Sequence, residues 1–158
     1  KPDKGAGLYR RSLYTYWKRT GPAPVMLTFD AATRDRCIVS RQSTNTPLQA
    51  LVTLNYPTFV ETAKVLGEQM TKLKDSRSAI IATYLKLSGK KPSSKEVELL
   101  EKMRKTELDK FTKNPNKAKG WLATGQYNID NKLDQNVVAA NTVVASTIMN
   151  SDAVLMKR

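Results

Sequence analysis

Apolar residues recur at steps of three and four along most of the chain, which is the spacing of one buried helix face. No strand pattern of comparable strength occurs, so the sequence predicts an all-α fold. The predicted helices span about 8–20, 47–54, 58–73, 76–87, 93–112 and 133–149, with a shorter helical stretch at 115–122 and a last turn at 151–155.

Several of these helices have recognisable start signals. Three polar residues at 44–46 precede Pro47, which suits the first turn of a helix. Ser76 is the predicted cap of one later helix, and Ser93 with Glu96 forms a capping box at another. The side chains expected to face the core are Phe59, Ala63, Leu66, Met70, Leu73, Ile80, Ile81, Tyr84, Leu85, Val97, Leu100, Leu108, Phe111, Val137, Ala140, Val144 and Ile148.

The segment 25–45 keeps neither a helical nor a strand period. A long irregular segment with apolar residues in it predicts an ordered, packed loop; a small ribbon of 26–30 with 37–40 is the alternative. We therefore predict an irregular bundle of about five to seven helices with a long ordered loop near the N-terminal third. Residues 1–7 are predicted to be a flexible lead-in, and 8–158 a single helical domain.

Composition bounds the partners more than the fold. The chain has 158 residues, 40% of them apolar, and is long enough to bury a core without disulfides or metals. Lys and Arg number 27 against 14 Asp and Glu, a net charge of +13. Such an excess favours phosphate, nucleic acid, an anionic surface or an acidic protein. It is equally typical of the basic side of a larger molecule whose remainder is acidic.

Missing residue types exclude several chemistries. The chain has no histidine and a single cysteine, Cys37. Ser-His-Asp and Cys-His catalysis, haem attachment and the usual zinc ligand sets therefore cannot be built from it. No glycine-rich phosphate loop and no apolar run long enough for a membrane span occurs. We predict no catalytic residue, no metal ligand and no cofactor site in this chain.

A first candidate cluster combines basic and aromatic side chains near the amino terminus. Such a mixture can bind phosphates and stack bases, but its spacing also suits an amphipathic helix whose aromatics face the core, which we favour. Its members are Arg10, Arg11, Tyr14, Tyr16, Trp17, Lys18 and Arg19.

A second candidate cluster alternates arginines and carboxylates within the irregular segment. These side chains can brace an irregular backbone by charge-assisted hydrogen bonds, which we favour, or clamp an anionic ligand. Cys37 lies beside two arginines but has no evident general base, and is predicted to be buried and inert. The members are Asp30, Arg34, Asp35, Arg36, Cys37, Arg41, Asn45, Thr46 and Gln49.

Three stretches of the sequence resemble a known family. RRSLYTYWKRT at 10–20, MLTFDAATRDRC at 26–37 and RQSTNTPLQALVTLNYPTFVETAKVL at 41–66 closely resemble the carboxy-terminal part of the planctomycete PSD-one domain, domain of unknown function 1553. The resemblance extends more loosely to STIMNSD at 146–152. It implies a fragment of a larger exported protein, periplasmic or extracellular, in which an upstream cytochrome c-like domain would hold any haem. It implies no catalytic residue.

Three functional hypotheses follow. The first is a noncatalytic C-terminal helical module that packs on upstream domains of the same polypeptide or mediates assembly. The second is an Arg/Asp-rich loop that contributes to an active or ligand site completed by upstream residues, for an extracellular polysaccharide or redox substrate. The third is binding of nucleic acid or another polyanion, with nucleic acid least favoured because the lysines are dispersed. The ligand-binding residues of the second hypothesis are Arg10, Arg11, Asp30, Arg34, Asp35, Arg36, Arg41 and Asn45.

Overall fold

The computed structural model describes residues 5–9, 15–18, 20–32, 37–40, 44–73 and 75–155. Within these ranges there is no strand, which confirms the all-α prediction. Six of the α-helices in this part have eight or more residues, and a 3₁₀ helix at Gly5–Tyr9 precedes them. The α-helices are α1 (Pro24–Thr28), α2 (Pro47–Asn55), α3 (Pro57–Lys72), α4 (Ser76–Ser88), α5 (Ser94–Lys113), α6 (Pro115–Leu122), α7 (Gln135–Met149) and α8 (Asp152–Leu155).

Contacts between Cα atoms divide the chain into two compact units, Lys1–Val52 and Thr53–Arg158. The boundary falls inside α2. The prediction of a single helical domain over 8–158 stays a prediction. The two units differ in their interiors, because every buried apolar residue of the described chain belongs to the C-terminal unit.

The N-terminal unit departs from two sequence predictions. Residues 24–28 form α1 instead of a loop or ribbon strand. Pro24 at its first turn already has the helical φ, and the Thr28 hydroxyl donates to the Pro24 carbonyl at 2.9 Å. The helix predicted over 8–20 is wrong at residues 15–18, which are not helical. Thr15, Tyr16 and Trp17 all have low helix propensity, and the apolar spacing does not compensate for it.

The C-terminal unit is organised around α7. This helix packs most extensively on α3 and also contacts α4, α5, α6 and α8. It is buried on nearly every side, whereas the sequence pattern predicted a single buried stripe. Small side chains allow this all-round packing. The buried residues of α7 are Val138, Ala139, Ala140, Asn141, Thr142, Val144, Ala145, Ser146, Ile148 and Met149.

Many side chains predicted to face the core are buried in this unit: Ala63, Leu66, Met70, Ile80, Tyr84, Val97, Ala140, Val144 and Ile148. Phe59 and Leu100 are partly buried and pack against the same core. Leu73 and Leu85 are exceptions, with 50% and 41% of their surface exposed. Leu73 follows the last turn of α3 as its C-cap, so it has left the buried stripe.

The predicted caps of α5 and α4 have different outcomes. Ser93 and Glu96 form the predicted capping box at the start of α5. The cap of α4 is Asp75, and not Ser76 as predicted. The Asp75 carboxylate accepts the Arg77 and Ser78 N–H groups at 3.2 and 2.9 Å. A carboxylate has two acceptor oxygens for such donors, which a serine hydroxyl lacks.

Gly67 lies where α3 meets α7. A Cβ atom added there would be 2.5 Å from the Thr142 hydroxyl oxygen and 2.7 Å from the Thr142 backbone nitrogen. Both distances are too short for any side chain, and the second involves backbone that cannot rotate away. The two helices therefore require glycine at this position.

We expect Gly67→Ala to lower the free energy of unfolding by about 1–3 kcal/mol, because overpacking a closed interface forces it apart. The matched control is Gly120→Ala on α6, where an added Cβ meets nothing within 4 Å. That change should raise the free energy of unfolding by about 0.5–1 kcal/mol through helix propensity. Urea unfolding of both variants measures the difference. If both variants changed the free energy of unfolding by the same amount in the same direction, the close approach of α3 to α7 would be contradicted.

Candidate functional site

Asp30 is a predicted ligand-binding residue whose side-chain bonds the structure describes. It follows α1 with φ = 54°, in the left-handed region that few residues other than glycine adopt. Its Oδ2 accepts the Thr44 N–H at 2.8 Å and the Thr44 hydroxyl at 2.7 Å. These bonds join the chain after α1 to the segment that begins α2.

Gln49 completes this link from the first turns of α2. Its Nε2 donates to the Thr28 carbonyl at 2.8 Å and to the Thr44 hydroxyl at 3.1 Å. Its Oε1 accepts the Thr46 N–H at 3.1 Å, and its own N–H donates to the Thr46 hydroxyl at 3.3 Å. Only 4% of Gln49 is exposed. These contacts support the bracing interpretation of the second cluster.

The other members of the two candidate clusters are distributed as follows. Asn45 lies between these bracing residues and is exposed. Tyr16 is 83% exposed, so the prediction that its ring faces the core is wrong. Six of the predicted ligand-binding residues lie outside the described residues: Arg10, Arg11, Arg34, Asp35, Arg36 and Arg41. Their proposed role stays a prediction.

Cys37 is exposed, whereas the sequence predicted that it would be buried. The apolar neighbours Ile38 and Val39 suggested a packed segment, yet they are 45% and 107% exposed. Without packing on this stretch there is nothing to cover the thiol.

The helix α3 carries a group of buried charges that were not predicted from the sequence. Lys64 is only 1% exposed, although lysine is almost never fully buried. Its Nζ donates to the backbone carbonyls of Leu122, Thr124 and Tyr127 at 3.2, 2.6 and 2.7 Å. All three ammonium protons are thus accounted for by the loop between α6 and α7.

Glu61 binds the same loop as a hydrogen-bond acceptor, whereas Lys64 is a donor. It lies one turn before Lys64 and is 6% exposed. Its Oε1 accepts the Gln126 N–H at 3.1 Å and the Tyr127 N–H at 2.6 Å. A Cβ atom at Gly125, where φ is 85°, would be 2.7 Å from the Glu61 carboxyl. Only glycine therefore fits between the loop backbone and this carboxylate.

The electrostatics of this group follow from its burial. Desolvation lowers the pKa of Lys64, and the nearby negative charge of Glu61 opposes that shift in part. On the next turn Glu68 pairs with Lys72, their Oε1 and Nζ atoms 2.6 Å apart. Interaction with Glu68 raises the pKa of the Tyr127 phenol, and burial adds to the rise. The loop is thus held by hydrogen bonds to Lys64 and Glu61, and Glu68 on the next turn affects the titration of its Tyr127 phenol.

The sequence did contain a signal for this group. Glu61, Lys64 and Glu68 follow one another at steps of three and four, which is also the spacing of the apolar stripe on α3. Charges at that spacing are usually solvated. Only the tertiary structure shows that an irregular loop covers them and supplies backbone partners.

A cavity of about 450 Å³ adjoins the loop and is lined by Lys119, Gly125 and Tyr127 among others, with no carboxylate. Across the residues that the structure describes, no cluster of three or more potential metal ligands occurs. In the same part of the chain no helix is long and apolar enough to cross a membrane.

We expect Lys64→Met to lower the free energy of unfolding by about 2–4 kcal/mol, because it leaves three loop carbonyls without the donor that they share. The control is Lys110→Met, which removes an exposed lysine paired with Glu107 on α5. It should change stability by less than about 0.5 kcal/mol. Denaturant unfolding of both variants at neutral pH provides the measurement.

The difference in stability between wild type and Lys64→Met should depend on pH. Because the pKa of Lys64 is lowered in the folded state, the unfolded chain binds more protons between that pKa and the ordinary value of 10.5. Stability contributed by this group therefore rises with pH in that window. The gap between wild type and Lys64→Met should widen on going from neutral pH toward 10.5. A constant gap would mean that the Lys64 pKa is not lowered.

We expect Asp30→Ala to reduce the hydrogen-exchange protection of the Thr44 amide about tenfold, since its acceptor is removed. Asp30→Asn keeps an acceptor oxygen and tolerates the left-handed backbone, so it should retain most of the protection. Asp30→Gly should lose the protection of the Thr44 amide as Asp30→Ala does. Because glycine adopts the left-handed backbone without strain, it should destabilise the protein by about 1 kcal/mol less than Asp30→Ala. Unchanged protection in Asp30→Ala would exclude the bracing role.

Comparison with known proteins identifies a family. The family model PSD1, described as a protein of unknown function (DUF1553), matches residues 1–104. The match includes the N-terminal unit, α3, α4 and about half of α5, and does not reach the segment 146–152. No curated protein and no solved structure is detectably similar. Because the model matches 104 of 158 residues, the chain belongs to the PSD1 (DUF1553) family.

Proposed function

We propose that this chain is a noncatalytic helical module that docks onto the preceding part of the same polypeptide. The docking surface is the apolar side of α2, defined by Leu48, Leu51 and Leu54 and called the α2 apolar face. The observation that carries this proposal is the inverted polarity of α2. Most surface helices bury apolar residues and expose polar ones.

In α2 the arrangement is reversed. The three leucines, spaced by three, lie on one side of the helix and are 56%, 58% and 39% exposed. Gln49 and Thr53, spaced by four, lie on another side and are 4% and 3% exposed. An exposed apolar helix face next to a buried polar one is typical of a surface that another chain or domain covers.

The remainder of the N-terminal unit supports the same conclusion. Among its described residues no apolar side chain is buried, and seven large ones are at least 45% exposed. A segment of this kind gains little from its own core and needs apolar contacts from elsewhere. The seven are Tyr9, Tyr16, Leu27, Ile38, Val39, Leu48 and Leu51.

Charge and covalent linkage favour an intramolecular partner. Residues 1–52 contain nine basic and three acidic residues, so the complementary surface should be apolar with an acidic rim. A domain in the same polypeptide is present at high effective concentration, so a modest apolar face is sufficient for docking. The exported, multidomain setting implied by the family resemblance would provide such a domain.

The bonds of the described polar groups support a noncatalytic role. The Asp30 carboxylate braces the N-terminal unit, and Glu61 and Lys64 hold the loop before α7. The hypothesis of a shared Arg/Asp site stays a prediction. It can be tested by replacing Arg34, Asp35 and Arg41 with alanine in the longer polypeptide. Polyanion binding also stays a prediction, and steep loss of binding with rising salt would be its signature.

The docking proposal is tested by the accessibility of single cysteines. In a Cys37→Ser background, Leu51→Cys is compared with Leu99→Cys on α5, since both leucines are well exposed at 58% and 67%. Each variant is alkylated in the 158-residue chain and in the longer natural polypeptide. We expect alkylation at position 51 to slow about tenfold or more in the longer polypeptide, because a docked interface excludes the reagent. Position 99 should be unaffected.

Equal alkylation at position 51 in both proteins would contradict docking onto the same polypeptide. Slowing already in the 158-residue chain as its concentration rises would instead identify a second copy as the occupant. A parallel slowing at positions 51 and 99 would mean general shielding and would also contradict the proposal. The unfolding transition of each variant confirms that the comparison is made on folded protein.

A further inference from the structure

A polar cavity of about 410 Å³ lies within the C-terminal unit. Its lining comes from four helices or their caps: the end of α3, the start of α4, α5 and α7. This volume is within the usual range for small-molecule sites. Its polar lining residues are Thr71, Asp75, Ser76, Arg104 and Asn141.

Arg104 is held in place by a partly buried hydrogen-bond network. Its Nε donates to Asn141 Oδ1 at 2.7 Å, and Asn141 is only 2% exposed. Asn141 Nδ2 donates in turn to the Thr71 hydroxyl at 2.8 Å, and that hydroxyl donates to the Gly67 carbonyl at 2.8 Å. The guanidinium is therefore oriented by side chains that cannot move freely.

The remaining donors of Arg104 have no partner in the described chain. Only its Nε is used, so the two terminal nitrogens, with four N–H groups, are uncommitted. The Asp75 carboxylate, which also lines the cavity, already accepts three bonds from Arg77 and Ser78. Those bonds, the one to the Ser78 hydroxyl first, lower the pKa of Asp75 and keep it ionised.

We propose that this cavity binds a small molecule carrying a carboxylate or phosphate group, with Arg104 as its bidentate partner. A planar guanidinium with two free nitrogens matches the paired oxygens of either group. The Ser76 hydroxyl, which has no hydrogen-bond partner within the described residues, is a further donor at the rim. This inference is independent of the docking proposal, because none of these residues belongs to the α2 apolar face.

The test is a nitrogen-15 NMR titration of the 158-residue chain with sodium phosphate and, separately, with sodium acetate. Sodium chloride at equal ionic strength is the reference. We expect a saturable shift of the Arg104 Nε–H signal with at least one of the two oxyanions. The stronger of the two identifies the group that the cavity prefers. The proposal would be overturned if sodium chloride alone gave a saturable shift of the Arg104 Nε–H signal. It would also be overturned if neither oxyanion gave one.

Three charge variants separate a site from general attraction to a basic protein. Ser76→Asp adds a negative charge to the lining and should weaken binding about tenfold. Asp75→Asn removes one while keeping a good helix cap, and should tighten binding about threefold. Lys110→Gln removes a positive charge on α5 outside the lining and should leave the affinity unchanged. Equal effects of all three variants would also overturn the proposal.

Arg104→Lys tests the geometry of the contact. It keeps the positive charge but loses the planar fork, so binding should weaken about tenfold. Because this change also removes the bond to Asn141, its unfolding curve must show a folded protein. If the Arg104→Lys protein is not folded, the affinity of Ser76→Asp tests the proposal in its place. That variant should stay folded, because aspartate is favourable in the first turn of a helix.

Discussion

The close approach of α3 to α7 is the constraint on which the C-terminal unit depends. Gly67 leaves no room for a side chain against Thr142, and α7 presents mainly small residues to its neighbours. Because α7 is buried on nearly every side, each helix around it must bury part of its own surface there. The position of α3 in this arrangement determines which of its polar residues lose contact with water.

Two of those polar residues, Glu61 and Lys64, are stabilised by backbone groups of a loop. Backbone groups in an irregular segment need partners when they are buried. Glu61 supplies acceptors for two N–H groups of the 122–127 segment, while Lys64 supplies donors for three of its carbonyls. Burying the Lys64 ammonium is unfavourable, and the resulting desolvation lowers its pKa. The bonds of both residues to the loop offset that cost and fix the chain where it enters α7.

The N-terminal unit is built on different physics. Its described part is held by hydrogen bonds around Asp30, Thr44 and Gln49, with no buried apolar residue. Such a network can fix the path of a chain, but it contributes little of the stabilisation that apolar burial provides. Leu48 and Leu51, the exposed α2 leucines of this unit, therefore have a clear thermodynamic reason to find a partner. The C-terminal unit, by contrast, has its own apolar core.

The sequence by itself determined the helices of the C-terminal unit, the capping box at Ser93 and most of the core, because periodicity and caps are local properties. It failed at residues 15–18 and 24–28, where weak propensity and a proline outweighed or replaced the expected pattern. The burial of Lys64, the exposure of Cys37 and the bracing of Arg104 by Asn141 were decided only by the tertiary structure. Each depends on which distant segment covers a side chain, and neither spacing nor composition specifies that.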